Sequence, residues 1–114
     1  MEFDKTLTSG STKLLLMKLL EQQDMYGYQM IEELSRRSND AFQFQEGTLY
    51  PILHGLEKGK YLSGYQQQAP SGRMRKYYRL TRKGRELLAE KKAEWASFHR
   101  GVADVLSGGA NALA

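Results

Sequence analysis

The sequence predicts a mainly α-helical chain with one small β-hairpin, in the order helix, helix, helix, hairpin, helix. Three observations carry this reading. Apolar residues recur at helical spacing in four separate segments. Two strand-like runs flank the turn residues Ala69-Pro70-Ser71-Gly72. Seven of the 17 Lys and Arg residues, and none of the 13 Asp and Glu residues, fall between Arg73 and Arg85.

At 114 residues the chain has the length of one domain, with a modest core that a partner subunit would help to complete. It contains no cysteine, which removes disulfide and thiolate chemistry and fits a reducing compartment. No apolar run approaches the roughly 18 residues of a membrane span, and the N-terminus MEFDKTLTSG has no signal-peptide pattern. A soluble cytoplasmic protein is the expectation.

The first helix is read over Thr12 to Gln23, where LLLMKLL is apolar on most sides and so needs cover on more than one face. After Asp24, the stretch YGYQMIEELSRRS puts Gly27, Met30, Ile31 and Leu34 on one face and leaves Glu32, Glu33, Arg36 and Arg37 to solvent. The alternation Phe42-Gln43-Phe44-Gln45 suggests a small edge strand.

The third helix carries Leu49, Ile52, Leu53 and Leu56 at i, i+3, i+4 and i+7. With Thr48 as N-cap, Pro51 is the third helical residue and no backbone hydrogen bond is lost. Gly59 stands where a left-handed C-cap is expected. The face opposite the leucines holds Gly47, Pro51, His54 and Lys58, flanked by Tyr50 and Gly55. It is narrow, and it has hydrogen-bonding groups to offer.

The hairpin is read as Tyr61 to Gln68 and Arg73 to Leu80. In its second strand Met74, Lys76, Tyr78 and Leu80 alternate with Arg73, Arg75, Tyr77 and Arg79, so one face reaches the core and the other shows mostly arginine. Thr81 is the N-cap of a final helix of about 25 residues, roughly 37 Å long. There Leu88, Trp95 and Val102 repeat every seven residues, as do Lys91, Phe98 and Val105, a seam of coiled-coil type. A partner helix is the simplest use for that seam, with an intramolecular packing stripe as the other reading.

This order of elements, with a slim third helix and a basic hairpin, is that of a winged helix-turn-helix. Residues 11–80 form the winged-helix domain, 81–107 a C-terminal dimerisation helix, and 1–10 and 108–114 flexible tails. In such a domain the third helix enters a DNA major groove and the hairpin lies against phosphates. The slim face then has a use. Gly47 and Gly55 allow close approach, and Thr48, Tyr50, His54 and Lys58 supply hydrogen bonds. The rival is a winged helix whose basic hairpin binds an acidic protein partner.

The segments YGYQMIEEL, EGTLYPILHGLEKGKYL and SGRMRKYYRLTRKGRELL together resemble the PadR family of winged-helix transcriptional regulators, over roughly Leu14 to Phe98. The resemblance implies a homodimer held largely by the last helix, bound to a pseudo-palindromic operator and usually repressing. It matches Tyr50 and its neighbours Gly47, Thr48, Pro51, His54 and Lys58 to the recognition helix. It matches Ser71, Gly72, Arg73, Arg75 and Lys76 to the wing tip. The single C-terminal helix resembles the compact branch of the family. In some members of that branch a tryptophan about eleven residues past the glycine of the L-T-x-x-G motif lines an effector cavity at the dimer interface. Here that glycine is Gly84 and the tryptophan Trp95, with Leu88, Lys91, Phe98 and Val102 along the same seam. A small flat aromatic ligand is therefore an implied partner, and a Trp that merely fills the seam is the plainer alternative.

Catalysis needs a convergent group of acids, bases or nucleophiles, and none is evident. His54 and His99 lie on different predicted helices, and two distant histidines without cysteine lack zinc-site spacing. No enzyme activity, metal or cofactor is expected.

Overall fold

The computed structural model of the chain describes residues 3–4, 7–8 and 10–108. The expected flexible tails therefore lie for the most part outside the described residues. Among the described residues the elements are α1 (Thr12–Gln22), β1 (Met25–Tyr26), α2 (Gly27–Arg37), α3 (Glu46–Lys58), β2 (Leu62–Gln68), β3 (Met74–Leu80) and α4 (Arg82–Leu106). The strands form one antiparallel sheet in the order β1-β3-β2. Tyr78 is its centre, opposite Met25 on one side and Gly64 on the other.

One core joins all these elements. Leu16 and Leu20 of α1, Met30 and Leu34 of α2, Leu49, Leu53 and Leu56 of α3, Leu62, Tyr78 and Leu80 of the sheet, and Leu88 of α4 are all buried. Each such side chain contributes about 1.5–3 kcal/mol on leaving water. The predicted inward stripes of α2 and α3 are thus the observed ones, with Ile31 and Ile52 only half-buried at the margin. Leu14 and Leu15 on α1 are likewise only half-covered.

The structure corrects four local expectations. α3 begins at Glu46, with Gln45 as an N-cap that makes no side-chain bond. Thr48 lies inside the first turn, its amide donating to Gln45 O at 3.0 Å. Pro51 is therefore the sixth helical residue, and it cannot donate to the carbonyl of Gly47. Gly47 is exposed, so that carbonyl is solvated and the loss is small. The Glu46 carboxylate in the first turn complements the helix dipole and helps to dispense with a cap.

Second, Phe42 to Gln45 form no strand. The sheet edge is instead the two-residue β1, which exists because β3 offers it partners, Met25 opposite Tyr78 and Tyr26 opposite Tyr77. Third, Gly59 is right-handed (φ −76°), and the left-handed residue is Lys60 (φ 66°). The Lys60 amide donates to Glu57 O and the Tyr61 amide to Leu56 O, both at 2.9 Å, which is a Schellman closure one residue later than expected. Gly59 is needed for space: a Cβ there would lie 2.7 Å from the Tyr61 ring. Fourth, Tyr77 does not share the exposure of the arginines beside it. It is 7% exposed, in a cross-strand row between Tyr26 and Tyr65.

The hairpin turn is as read. The Gly72 amide donates to Ala69 O, the Ala69 amide to Arg73 O, and Gly72 takes φ +91°, a three-residue loop whose last position favours glycine. Thr81 caps α4, its Oγ1 accepting from the Gly84 amide at 3.0 Å.

Candidate nucleic-acid interface

α3 presents Gly47, Thr48, Pro51, His54, Gly55 and Lys58 to solvent on the side away from its leucines. A Cβ built on Gly47 or Gly55 would meet nothing within 4 Å. The face is therefore as slim as its sequence implies. Tyr50 differs from its neighbours. It is half-buried, and its hydroxyl lies so close to Gly27 that a Cβ there would stand 2.6 Å from the phenolic oxygen. Its ring also lies 6.2 Å from that of His54. Gly27 thus lets the start of α2 close over α3 through Tyr50, a role that its place in the apolar stripe did not disclose.

The wing lies beside this helix. Ser71, Gly72, Arg73 and Met74 are exposed at its tip. The Arg75 guanidinium stands 5.5 Å from the ring centre of Tyr26, and its Nε is buried with no hydrogen-bond partner. Lys76 points the other way, toward α3, where Nζ donates to Glu57 Oε1 at 2.7 Å and sits 5.1 Å from the centre of the Tyr78 ring. That hydrogen bond holds the ammonium pKa above its ordinary value, with burial opposing it.

The rest of the basic run is partly engaged at the junction with α4. Lys83 Nζ donates to Gly59 O at 2.9 Å and covers the Tyr61 ring at 4.6 Å, and Arg82 faces Glu86 at 4.0 Å. Arg73 and Arg79 stay exposed. Behind the sheet, the Tyr65 hydroxyl donates to Asp24 Oδ2 at 2.5 Å, and that bond, reinforced by partial burial, pushes the phenol up to about 12.

α4 divides into two parts. Gly84 and Leu88 are buried against the domain, so Leu88, expected on the seam, is spent on the intramolecular core. From Lys92 to Leu106 every residue is exposed, including Trp95 at 48%, Phe98 at 71% and Val102 at 41%. Trp95 and His99 stack, with ring centres 4.8 Å apart and planes 6° from parallel. The i, i+4 spacing of those two rings was present in the sequence and would have predicted the pair. Lys91 is half-buried at the boundary. Two surface hollows of about 660 and 340 Å³ lie against α2, one beside Phe44 and one beneath Pro70, and neither includes a residue of α4.

Three helices on a three-stranded sheet whose long hairpin projects beside an exposed helix define a winged helix-turn-helix. The family model described as the transcriptional regulator PadR-like family matches residues 16–90, and the chain belongs to that family. It is a DNA-binding transcriptional regulator of the PadR type. It is 38% identical over 87 residues to an uncharacterized protein of Lysinibacillus sphaericus, covering 76% of this chain and 80% of that one. It is 39% identical over 67 residues to the transcriptional regulator Rv3488 of Mycobacterium tuberculosis, covering 59% of each. Among solved structures, a PadR-like transcriptional regulator from Bacillus cereus superposes with a TM-score of 0.81 at 29% identity, over 91% of this chain and 99% of that one. Among the described residues no helix is long and apolar enough to cross a membrane, and no three His, Cys, Asp or Glu side chains are grouped to hold a metal.

Proposed function

We propose that the protein is a cytoplasmic, homodimeric repressor that binds a pseudo-palindromic operator through α3 and the wing. A small aromatic effector bound at the dimer seam releases it. Residues 11–80 are the DNA-binding unit and 81–107 the dimerisation helix. The observation that carries the DNA reading is the exposed face of α3, with Gly47 and Gly55 leaving it slim and Thr48, His54 and Lys58 carrying its donors beside the exposed wing tip. Such a face suits a major groove, and Arg73 and Arg75 suit the flanking phosphates. Tyr50 contributes from the edge of the face, and Pro51 lies at its centre.

The dimer reading is supported by the apolar residues Trp95, Phe98, Val102 and Val105, exposed along a helix that extends past its own domain. A second copy of the seam would cover them, with Lys91 at its inner end. The effector reading rests on Trp95, whose indole offers a broad face at low entropic cost. A ligand there releases DNA only by favouring a dimer whose two α3 helices are wrongly spaced.

The test is binding of the purified protein to the duplex upstream of its own gene and to a scrambled duplex, across a salt series, with the mass determined in parallel. Specific binding by a dimer with half-sites about one helical turn apart supports the reading. Equal weak binding to both duplexes, lost as salt rises, favours instead a basic wing for an acidic protein partner.

A further inference from the structure

Four residues from three elements meet between the recognition helix and the wing. Glu57 lies on the last turn of α3, Gly64 on β2, and Lys76 and Tyr78 on β3. Lys76 Nζ donates to Glu57 Oε1 at 2.7 Å while lying over the Tyr78 ring. Tyr78 is itself 1% exposed at the centre of the sheet. Directly beneath the pair is Gly64, where a Cβ would collide with Lys76 Cε and would stand 2.7 Å from Glu57 Oε2. In the hairpin register Gly64 is opposite Tyr78 and Gln66 opposite Lys76, which makes Gly64 and Lys76 diagonal neighbours on one face of the sheet. The lysine therefore crosses β2 at a residue with no side chain, and a methyl group there would push the ends of Lys76 and Glu57 aside.

From this arrangement we infer that Glu57 and Lys76 are positioning residues that clasp the wing to the recognition helix, and that Lys76 does not serve as a phosphate contact. The inference rests on the DNA-binding reading above and deepens it. On one side the wing is tied to β1 by strand pairing, by the Tyr65 bond to Asp24 and by the Tyr26–Tyr77–Tyr65 row, and none of these ties reaches α3. The ion pair from the wing to the C-terminal turn of α3 adds the tie on that side before DNA arrives, so the distance between wing and helix is set in the free protein. The side chains are 39% and 31% exposed, so solvent screens the pair, and its contribution is geometric more than energetic. Its cation is also already committed. A phosphate drawing Lys76 away would leave Glu57 facing the DNA backbone unpaired, an arrangement that like-charge repulsion disfavours.

The test uses the full chain and the duplex upstream of its own gene, with a scrambled duplex as reference. Glu57→Gln and Lys76→Met are each compared with the swapped double variant Glu57→Lys with Lys76→Glu, and circular dichroism melting checks that all remain folded. The expected result has four parts. Each single variant loses about fivefold in preference for the upstream duplex, the equilibrium factor of a surface ion pair near its upper value. The salt slope stays that of the parent protein. The swapped variant recovers most of the loss. Gly64→Ala, which pushes the ends of Lys76 and Glu57 aside while leaving every charge in place, loses part of that preference.

Two results overturn the inference alone. In one, Lys76→Met lowers the salt slope by about one while Glu57→Gln is neutral, making Lys76 a phosphate contact. In the other, all the variants retain the parent's preference. A parent protein that does not distinguish the two duplexes instead overturns the DNA-binding assignment on which the inference stands.

Discussion

The Cα of Gly84 lies so close beneath the carbonyl of Tyr61 that a Cβ there would collide with that oxygen and with Leu80 Cδ1. α4 thus docks its first turn directly on the residue that closes α3. Thr81 completes the joint, its amide donating to Tyr61 O at 3.1 Å and its hydroxyl donating to Lys60 O at 2.8 Å.

Gly84→Ala should accordingly destabilise the protein by about 2 kcal/mol, because overpacking against backbone outweighs the gain in helix propensity. Chemical denaturation followed by circular dichroism measures this. An unchanged midpoint would mean that α4 shifts without cost.

Gly55→Ala should do the reverse. Its Cβ meets nothing, so stability rises by about 0.5–1 kcal/mol from helix propensity alone. If α3 sits in a groove, the same methyl group lowers operator affinity. A variant that is both more stable and equally tight on DNA would remove that face of α3 from the interface.

Lys60 holds a left-handed backbone at φ 66°, which costs a residue with a Cβ about 1 kcal/mol. Lys60→Gly should raise stability by about that amount, since the amide that bonds Glu57 O is kept. The reading fails if the melting temperature falls.

The Tyr65 phenol, raised to about 12 by its bond to Asp24, titrates above the ordinary value of 10.0. A folded pKa above the unfolded one means that the bond's stabilisation is complete below pH 10 and is lost as pH climbs through about 12. Difference absorbance of tyrosinate should show Tyr65 titrating late alongside Tyr78, whose phenol burial also raises, and Asp24→Asn should bring only the Tyr65 step back toward the other tyrosines.

Phe98→Glu should split the proposed dimer, since it buries a charge in an apolar seam at a residue that is 71% exposed in its own chain. Sedimentation read beside circular dichroism separates loss of partner from loss of fold. A dimer that survives the change would place the interface elsewhere.

The helix stripes were readable because burial imposes a period that the local sequence must repeat: Leu49, Leu53 and Leu56 are all inside. The hairpin was readable because Pro70, Ser71 and Gly72 are turn residues whatever surrounds them. The start of α3, the edge strand and the exposure of Tyr77 were not. A missing cap at Gln45 leaves no mark, and Met25–Tyr26 is too short to alternate. Tyr77 is buried by Tyr26, a residue 51 positions away in the chain.

What the sequence determined by itself was the order of elements, the slim face of α3, the basic run and the apolar seam of α4. Each of these is a local pattern, set by which residues stand three, four or seven apart. The tertiary structure alone decided which cations are committed and which are free. Lys76 turns to Glu57 and Lys83 to Gly59, while Arg73 and Arg79 face solvent and Arg75 lies over Tyr26 with no hydrogen-bond partner at its Nε. A charge is assigned to its partner by distance through space, and that distance exists only once the strands have paired and α3 has packed beneath them.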